Sequence, residues 1–315
     1  MNSDYTKSSD NVRYGKIGFG CWQLGGEQTF NGMPNGWRVG PEAQRIKLIE
    51  DAITSGIDVF DTAQAYGDGT SEALLGTAVS RSGQRDDLLI VTKLSYLNTF
   101  APDEINWPTF LSCLDDSRRR LQMDAIDVVL LHGPPPALLS DNIRSLFEKA
   151  REEGYIGSYG VSPRSWEELQ HAADIGFGSY LQWNYSALER RCDEPFLSRL
   201  HQRGLKFIGR STLFRGLITE TFFREGPACC FYDARDQLPQ VLLTEIHEKI
   251  SALRPVAQAL DLTLSEFAIG AALLNELSLC SLVGISKPDH LTSIIKVRNL
   301  PQVKLEEIQS ALEAL

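Results

Sequence analysis

A chain of 315 residues, 43% hydrophobic and 23% charged, is too apolar for disorder and long enough to bury a sizeable core, as two ordinary domains or as one large barrel. Its formal net charge of -10 repels polyphosphate chains and anionic membrane surfaces, so neither nucleic acid nor membrane is an expected partner. The polar opening MNSDYTKSSDN has no apolar run fit for a signal peptide, and no stretch reaches the ~18 apolar residues of a membrane span, which makes the cytoplasm the expected location.

Residues 1–11 read as a flexible lead-in, after which short β-branched runs alternate with longer amphipathic segments. KIGFGCW (16–22), IDVF (57–60), LLIVTK (88–93), IDVVLLH (126–132), IGSYGVS (156–162), YLQWN (180–184), LKFIGR (205–210) and SLVGIS (281–286) are eight strand candidates. Between them, PEAQRIKLIEDAITSG (41–56), SEALLGTAVSRS (71–82), WPTFLSCLDDSRRRLQ (107–122) and DNIRSLFEKAREEG (141–154) repeat apolar residues at helical spacing. Eight β-then-α units predict parallel strands with right-handed crossovers, and eight is the number at which such a sheet closes, so the expected fold is α/β, a (β/α)8 TIM barrel in one domain spanning 1–315. A doubly wound open sheet is the alternative, but GFGCWQLGG (18–26) lacks the GxGxxG spacing that such a fold uses for a dinucleotide. Three connections, 23–40, 94–106 and 213–240, exceed the usual length; all follow strands, which predicts an active face at the C-terminal mouth.

The chemistry-bearing residues fall at strand ends. FDTAQAYGDGTSE (60–72) places Asp61 after one apolar strand and Tyr66 just beyond it; Lys93 closes LLIVTK and His132 closes IDVVLLH. A phenol ionises near pH 10, too high for easy proton exchange at neutrality, and a neighbouring ammonium favours the phenolate. A buried lysine in turn needs a counter-charge, which Asp61 provides, while His132 offers a donor to the same oxygen. Singly, each residue has a duller reading as a turn cap, a packed ring, a snorkelling lysine or a structural histidine; together they describe a phenol set to exchange a proton with a carbonyl oxygen. The six cysteines show no CxxC pair and the five histidines no HxxxH or HExxH spacing, so free thiols and no dedicated metal site are expected.

FDTAQAYGDGTSE, together with VTKLS (91–95), IDVVLLHGP (126–134), GSYGVS (157–162) and GFGCWQLGG, resembles the aldo-keto reductase family across residues 12–300. The resemblance implies a barrel that binds NADP(H) without a Rossmann fold, with Tyr66 as general acid/base, Lys93 and Asp61 tuning it and His132 orienting the carbonyl. It further implies that Gly20, Cys21, Trp22 and Asp61 border the cofactor, that Ser162 and Gln182 hold the nicotinamide carboxamide, and that Arg210 stacks where many members place a tyrosine. Ser211, Leu213 and Gly216 fall at the pyrophosphate positions. In VGISKPDHL (283–291), Gly284, Ser286, Lys287 and His290 match the segment that grips the adenosine 2'-phosphate, and Pro288 suits the first turn of a helix whose amides favour an anion. Two departures stand out: Pro163 replaces the usual asparagine after Ser162, and Ser293-Ile294 replaces a Glu-Asn pair.

Aromatic residues crowd the expected mouth, and Trp22, Tyr66, His132, Tyr96 and Trp107 are the candidate substrate contacts, with Phe214, Phe231 and Tyr232 beside them. Asp233, Arg235 and Asp236 read as a solvated charged loop. The expected partner is a small carbonyl or sugar molecule, and the oligomeric state is open. Three readings follow: NADPH-dependent reduction of an aldehyde or ketone, the reverse oxidation of a sugar hydroxyl, or a non-catalytic cofactor-sensing subunit.

Overall fold

A computed structural model describes residues 15–30 and 32–314; the lead-in at 1–11 lies outside the described residues. Eight strands form a closed ring: β1 (Ile17–Gly20), β2 (Val59–Asp61), β3 (Leu89–Leu94), β4 (Ile126–His132), β5 (Ile156–Ser162), β6 (Tyr180–Asn184), β7 (Lys206–Arg210) and β8 (Ser278–Gly284). Each pairs in parallel with its sequence neighbours, and β8 returns to β1 to close the barrel. Helices cover the outside, so strands are buried on both faces and read as continuous apolar runs; all six residues of LIVTKL in β3 are buried.

The eight sequence-read strands are the eight observed, with end shifts of a few residues. The largest is at β8, which starts at Ser278 because the polar Ser278 hydroxyl is itself buried, bonded to the carbonyls of Phe207 and Cys280. The helices α1 (Glu42–Thr54), α2 (Thr70–Ser82), α3 (Trp107–Leu121) and α4 (Asp141–Glu152) match the amphipathic segments. Then follow α5 (Trp166–Asp174), α6 (Glu194–Gln202), α7 (Glu220–Glu225), α8 (Gln240–Ala259), α9 (Leu264–Leu273), α10 (Pro288–Arg298) and α11 (Gln302–Glu313). The starts of α3, α4, α5, α6, α7 and α9 carry side-chain caps, with full capping boxes at Ser165/Glu168 and Thr263/Glu266.

The barrel axis is filled by a small cluster including Val59, Leu89, Val91, Val128, Leu130 and Leu282. Side chains alternate along a strand, so the next inward positions toward the C-terminal ends are Asp61, Lys93, His132 and Gly284. The same period runs from Tyr180 to Gln182 and from Ile208 to Arg210. Every strand-end candidate is therefore the top rung of an inward-facing ladder.

The long connections are partly structured. Residues 23–40 carry an antiparallel ribbon, Thr29–Phe30 with Met33–Pro34. Residues 213–240 contain α7 and a short 3-10 turn, and Leu217, Ile218 and Phe222 pack with α8 and α9 in a second core. The two connections meet where Ala234 N donates to Gly36 O at 2.9 Å.

Candidate active site

In FDTAQAYGDGTSE, Gly67, Asp68 and Gly69 all have positive φ (62°, 52° and 86°), a left-handed run that turns the chain sharply into α2. A Cβ on Gly67 would stand 2.1 Å from Gly25 O, so the loops after β1 and β2 touch through bare backbone. That contact brings Trp22 over Tyr66, their rings 6.0 Å apart and 29° from parallel.

The Lys93 ammonium, fully buried, donates to Asp61 Oδ1 at 2.6 Å, to Thr62 O at 2.7 Å and to Tyr66 Oη at 3.2 Å. Asp61 is held from its other oxygen by Gln182 Nε2 at 2.7 Å, and Ser162 Oγ donates to Gln182 Oε1 at 2.9 Å. A single chain of polar contacts thus runs Ser162–Gln182–Asp61–Lys93–Tyr66 across four strands and the loop after β2. The His132 ring stands edge-on to Tyr66 with centroids 5.7 Å apart, and its Nδ1 lies 2.7 Å from Ser95 Oγ. Asn98 Nδ2 donates to His132 O at 2.8 Å. The four strand-end residues are brought together.

The electrostatics correct one expectation. Burial raises the Tyr66 phenol above its ordinary value and outweighs the opposing pull of Lys93, so the resting phenol is held protonated rather than made acidic. Lys93 is penalised by burial, but Asp61 and the phenol more than compensate and keep the ammonium charged. His132 is pushed well below the usual imidazole range by burial and then by Lys93, Arg210 and Arg164, so it is neutral at pH 7.

The remaining candidates divide. Gly20 and Gly284 face each other in the β1–β8 register, and a Cβ on Gly284 would meet the Gln23 amide at 2.2 Å. Arg210 donates to Pro163 O at 2.9 Å and lies over Trp183 at 5.6 Å, with its Nε buried and unpartnered. Ser211, with φ 61°, donates to Asn184 Oδ1 at 3.1 Å, and Gly216 (φ 76°) ends a left-handed run with Phe214 and Arg215. Leu213 packs partly into both large cores. Lys287 precedes the first turn of α10, makes no capping bond to it and is exposed; Ser286 is part-exposed, and its N–H donates to His290 Nδ1 at 3.4 Å.

Three placements differ from expectation. Cys21 is fully buried, its thiol turned back toward Phe19 O at 3.8 Å, so only its backbone borders the mouth. Trp107 packs between α3 and α4, on Phe110 (6.0 Å) and Tyr155 (6.3 Å), with Lys149 4.3 Å over its ring, because it opens a helix rather than following a strand inward. Asp233 is not solvated: it is buried and clamps Arg235 at 2.6 Å, whose guanidinium lies over Phe231 (4.2 Å) and Trp37 (5.2 Å). Tyr96 stays at the mouth, its hydroxyl bonded to Asp68. Sequence reading missed Ser95, Asn98, Trp37, Arg164 and Arg215. Ser95 alone had a local signal, two positions past Lys93; Trp37, edge-on to Trp22 at 5.2 Å, arrives only through the folded ribbon.

A closed parallel barrel whose C-terminal rim presents a protonated phenol, a paired ammonium and a neutral imidazole has the architecture of (β/α)8 enzymes and the groups that a proton transfer uses. The chain belongs to the aldo/keto reductase family, whose model matches residues 16–313. It is similar to the aldo-keto reductase YhdN of Bacillus subtilis, 28% identical over 244 residues, covering 75% of this chain and 71% of that one. Its fold is similar to the glycerol dehydrogenase AKR11B4 of Gluconobacter oxydans (TM-score 0.73, 21% identity, 96% and 93% coverage). A Klebsiella pneumoniae aldo/keto reductase solved in complex with NADP and acetate is similar at a TM-score of 0.67, with 20% identity and 95% and 94% coverage.

Proposed function

We propose that the protein reduces an aldehyde or ketone with NADPH, Tyr66 being the proton donor. The observation that carries this reading is the Lys93 ammonium held between Asp61 at 2.6 Å and the Tyr66 oxygen at 3.2 Å. When bound, the nicotinamide supplies a hydride, two electrons and a hydrogen nucleus, to the carbonyl carbon. Tyr66 gives its phenolic proton to the carbonyl oxygen, and the phenolate left behind faces Lys93, which stabilises it. His132, neutral and aligned by Ser95, orients the carbonyl oxygen toward the phenol. Tyr66 then regains a proton from solvent, which returns the site to its starting charge. A phenol raised by burial stays protonated at neutral pH, the form that reduction uses.

The residues present fit the cofactor. Ser162 Oγ and Gln182 Oε1 keep acceptor lone pairs for a carboxamide, and the unpartnered Arg210 Nε stands beside them. The left-handed run through Ser211 and Gly216 presents backbone at the pyrophosphate positions, and the exposed Lys287 at the start of α10 suits a phosphate. NADP in the Klebsiella pneumoniae relative supports the same assignment. Incubation with NADPH and a panel of aldehydes and ketones, followed by nicotinamide absorbance, should show oxidation of NADPH; no turnover with any carbonyl contradicts the reading. Lys287→Ala should weaken NADPH about ten-fold or more while NADH is little affected, since only the former carries the 2'-phosphate. Equal losses would remove Lys287 from that role.

A further inference from the structure

We infer that the substrate carries an anionic group and that Arg215 recognises it; this rests on the reductase reading above and names the substrate class. The chain has 41 acidic against 31 basic residues, and many arginines elsewhere in it are ion-paired, as Arg120 is with Glu72 at 2.6 Å and Arg235 with Asp233 at 2.6 Å, while others such as Arg45 and Arg298 bond backbone carbonyls. Three arginines stand at the mouth. Arg164, Arg210 and Arg215 form no ion pair with any carboxylate among the described residues, and Asp61 is committed to Lys93. Arg164 lies against Gly133, where a Cβ would meet its Nε at 2.4 Å, and its charge is one cause of the depressed His132. A rim of unpaired guanidiniums in an acidic protein is a local positive field that favours anionic ligands.

The charges of two of the three act on the phenol. Arg210 leans toward Pro163 and Trp183, beside Ser162 and Gln182, and belongs to the cofactor side. Arg215 lies at Trp22: its guanidinium stands 5.6 Å over the Trp22 ring, which itself stacks on Tyr66, and its charge acts on the Tyr66 oxygen. Its backbone φ of 57°, next to Phe214 at 47°, is a left-handed pair that bulky residues adopt only where the surrounding structure holds them. The side chain is exposed, so its donors remain open to a ligand. A guanidinium over the ring that stacks on the phenol suits a carbonyl compound bearing a carboxylate or a phosphate, through charge-assisted and bidentate hydrogen bonds.

The test compares 4-formylbenzoate with its methyl ester, a neutral molecule of similar size and carbonyl reactivity, in the wild type, in Arg215→Asn, which tolerates the left-handed backbone, and in Arg215→Lys, which keeps the charge. NADPH affinity is followed separately by nucleotide fluorescence, and calorimetric titration of terephthalate into the NADP-loaded protein reads anion binding without turnover. The inference requires a KM for the acid about ten-fold below that of the ester. It also requires loss of most of that ratio in the Asn variant, partial recovery with Lys, and terephthalate binding that weakens in parallel. Equal KM values for acid and ester in the wild type overturn it, as does an Asn variant whose main effect is weaker NADPH, which would assign the guanidinium to the cofactor. Terephthalate binding that depends on Arg215 without turnover of any carbonyl would sustain the inference and reject the reductase reading instead; turnover without preference for the acid would do the reverse.

Discussion

Tyr66 stands between opposed influences: burial raises its phenol, Lys93 lowers it, and burial is the larger. Reduction uses the protonated form, which is lost only as pH rises through the raised value. The rate of carbonyl reduction should therefore stay level from about pH 6.5 to about pH 9 and decline only above the ordinary tyrosine range near 10. His132, held well below the imidazole range, should add no loss on the acid side of that window. Initial rates at saturating NADPH check this, and a decline setting in near pH 7 would contradict the direction of the Tyr66 shift. Asp61, Lys93 and His132 were legible because each is a titratable residue closing an apolar strand, and Tyr66 because it follows just beyond Asp61. The sign of the phenol's shift was not, since it depends on burial by Trp22 and the loops, which no local pattern in the sequence reports.

At the scale of elements, the period of two along each strand carries the site. Leu89, Val91 and Lys93 share a face, as do Val128, Leu130 and His132, so the apolar filling of the axis and the polar rim are one pattern. Neighbouring strands must lie close for Gln182 of β6 to reach Asp61. Gly160 on β5 marks this, because a Cβ there would stand 1.8 Å from Tyr180 O on β6, and backbone cannot yield as a side-chain tip can. Gly160→Ala should destabilise the protein by about 2 kcal/mol or more, lowering the melting temperature by several degrees. An unchanged melting curve would show that the two strands separate freely there. Eight strands and four helices were readable from periodicity, whereas the ribbon at 29–34 and the Asp233–Arg235 clamp were not. Those features are fixed by contacts about two hundred positions apart, such as Gly36 with Ala234, rather than by propensity.

For the whole molecule, a net charge of -10 coexists with three arginines at the mouth that form no ion pair with a carboxylate among the described residues. Composition alone, which disfavours polyanions, says nothing of a small anion drawn to one rim. Closure of the barrel is what turns residues 61, 66, 93 and 132, distant in sequence, into a single constellation. The most direct test of that constellation is a single-turnover measurement of hydride transfer from NADPH to an aldehyde by Tyr66→Phe, with NADPH affinity measured alongside. The account predicts a loss of about a hundred-fold or more with the nucleotide bound as in the wild type. A variant that transfers hydride at the wild-type rate would contradict it.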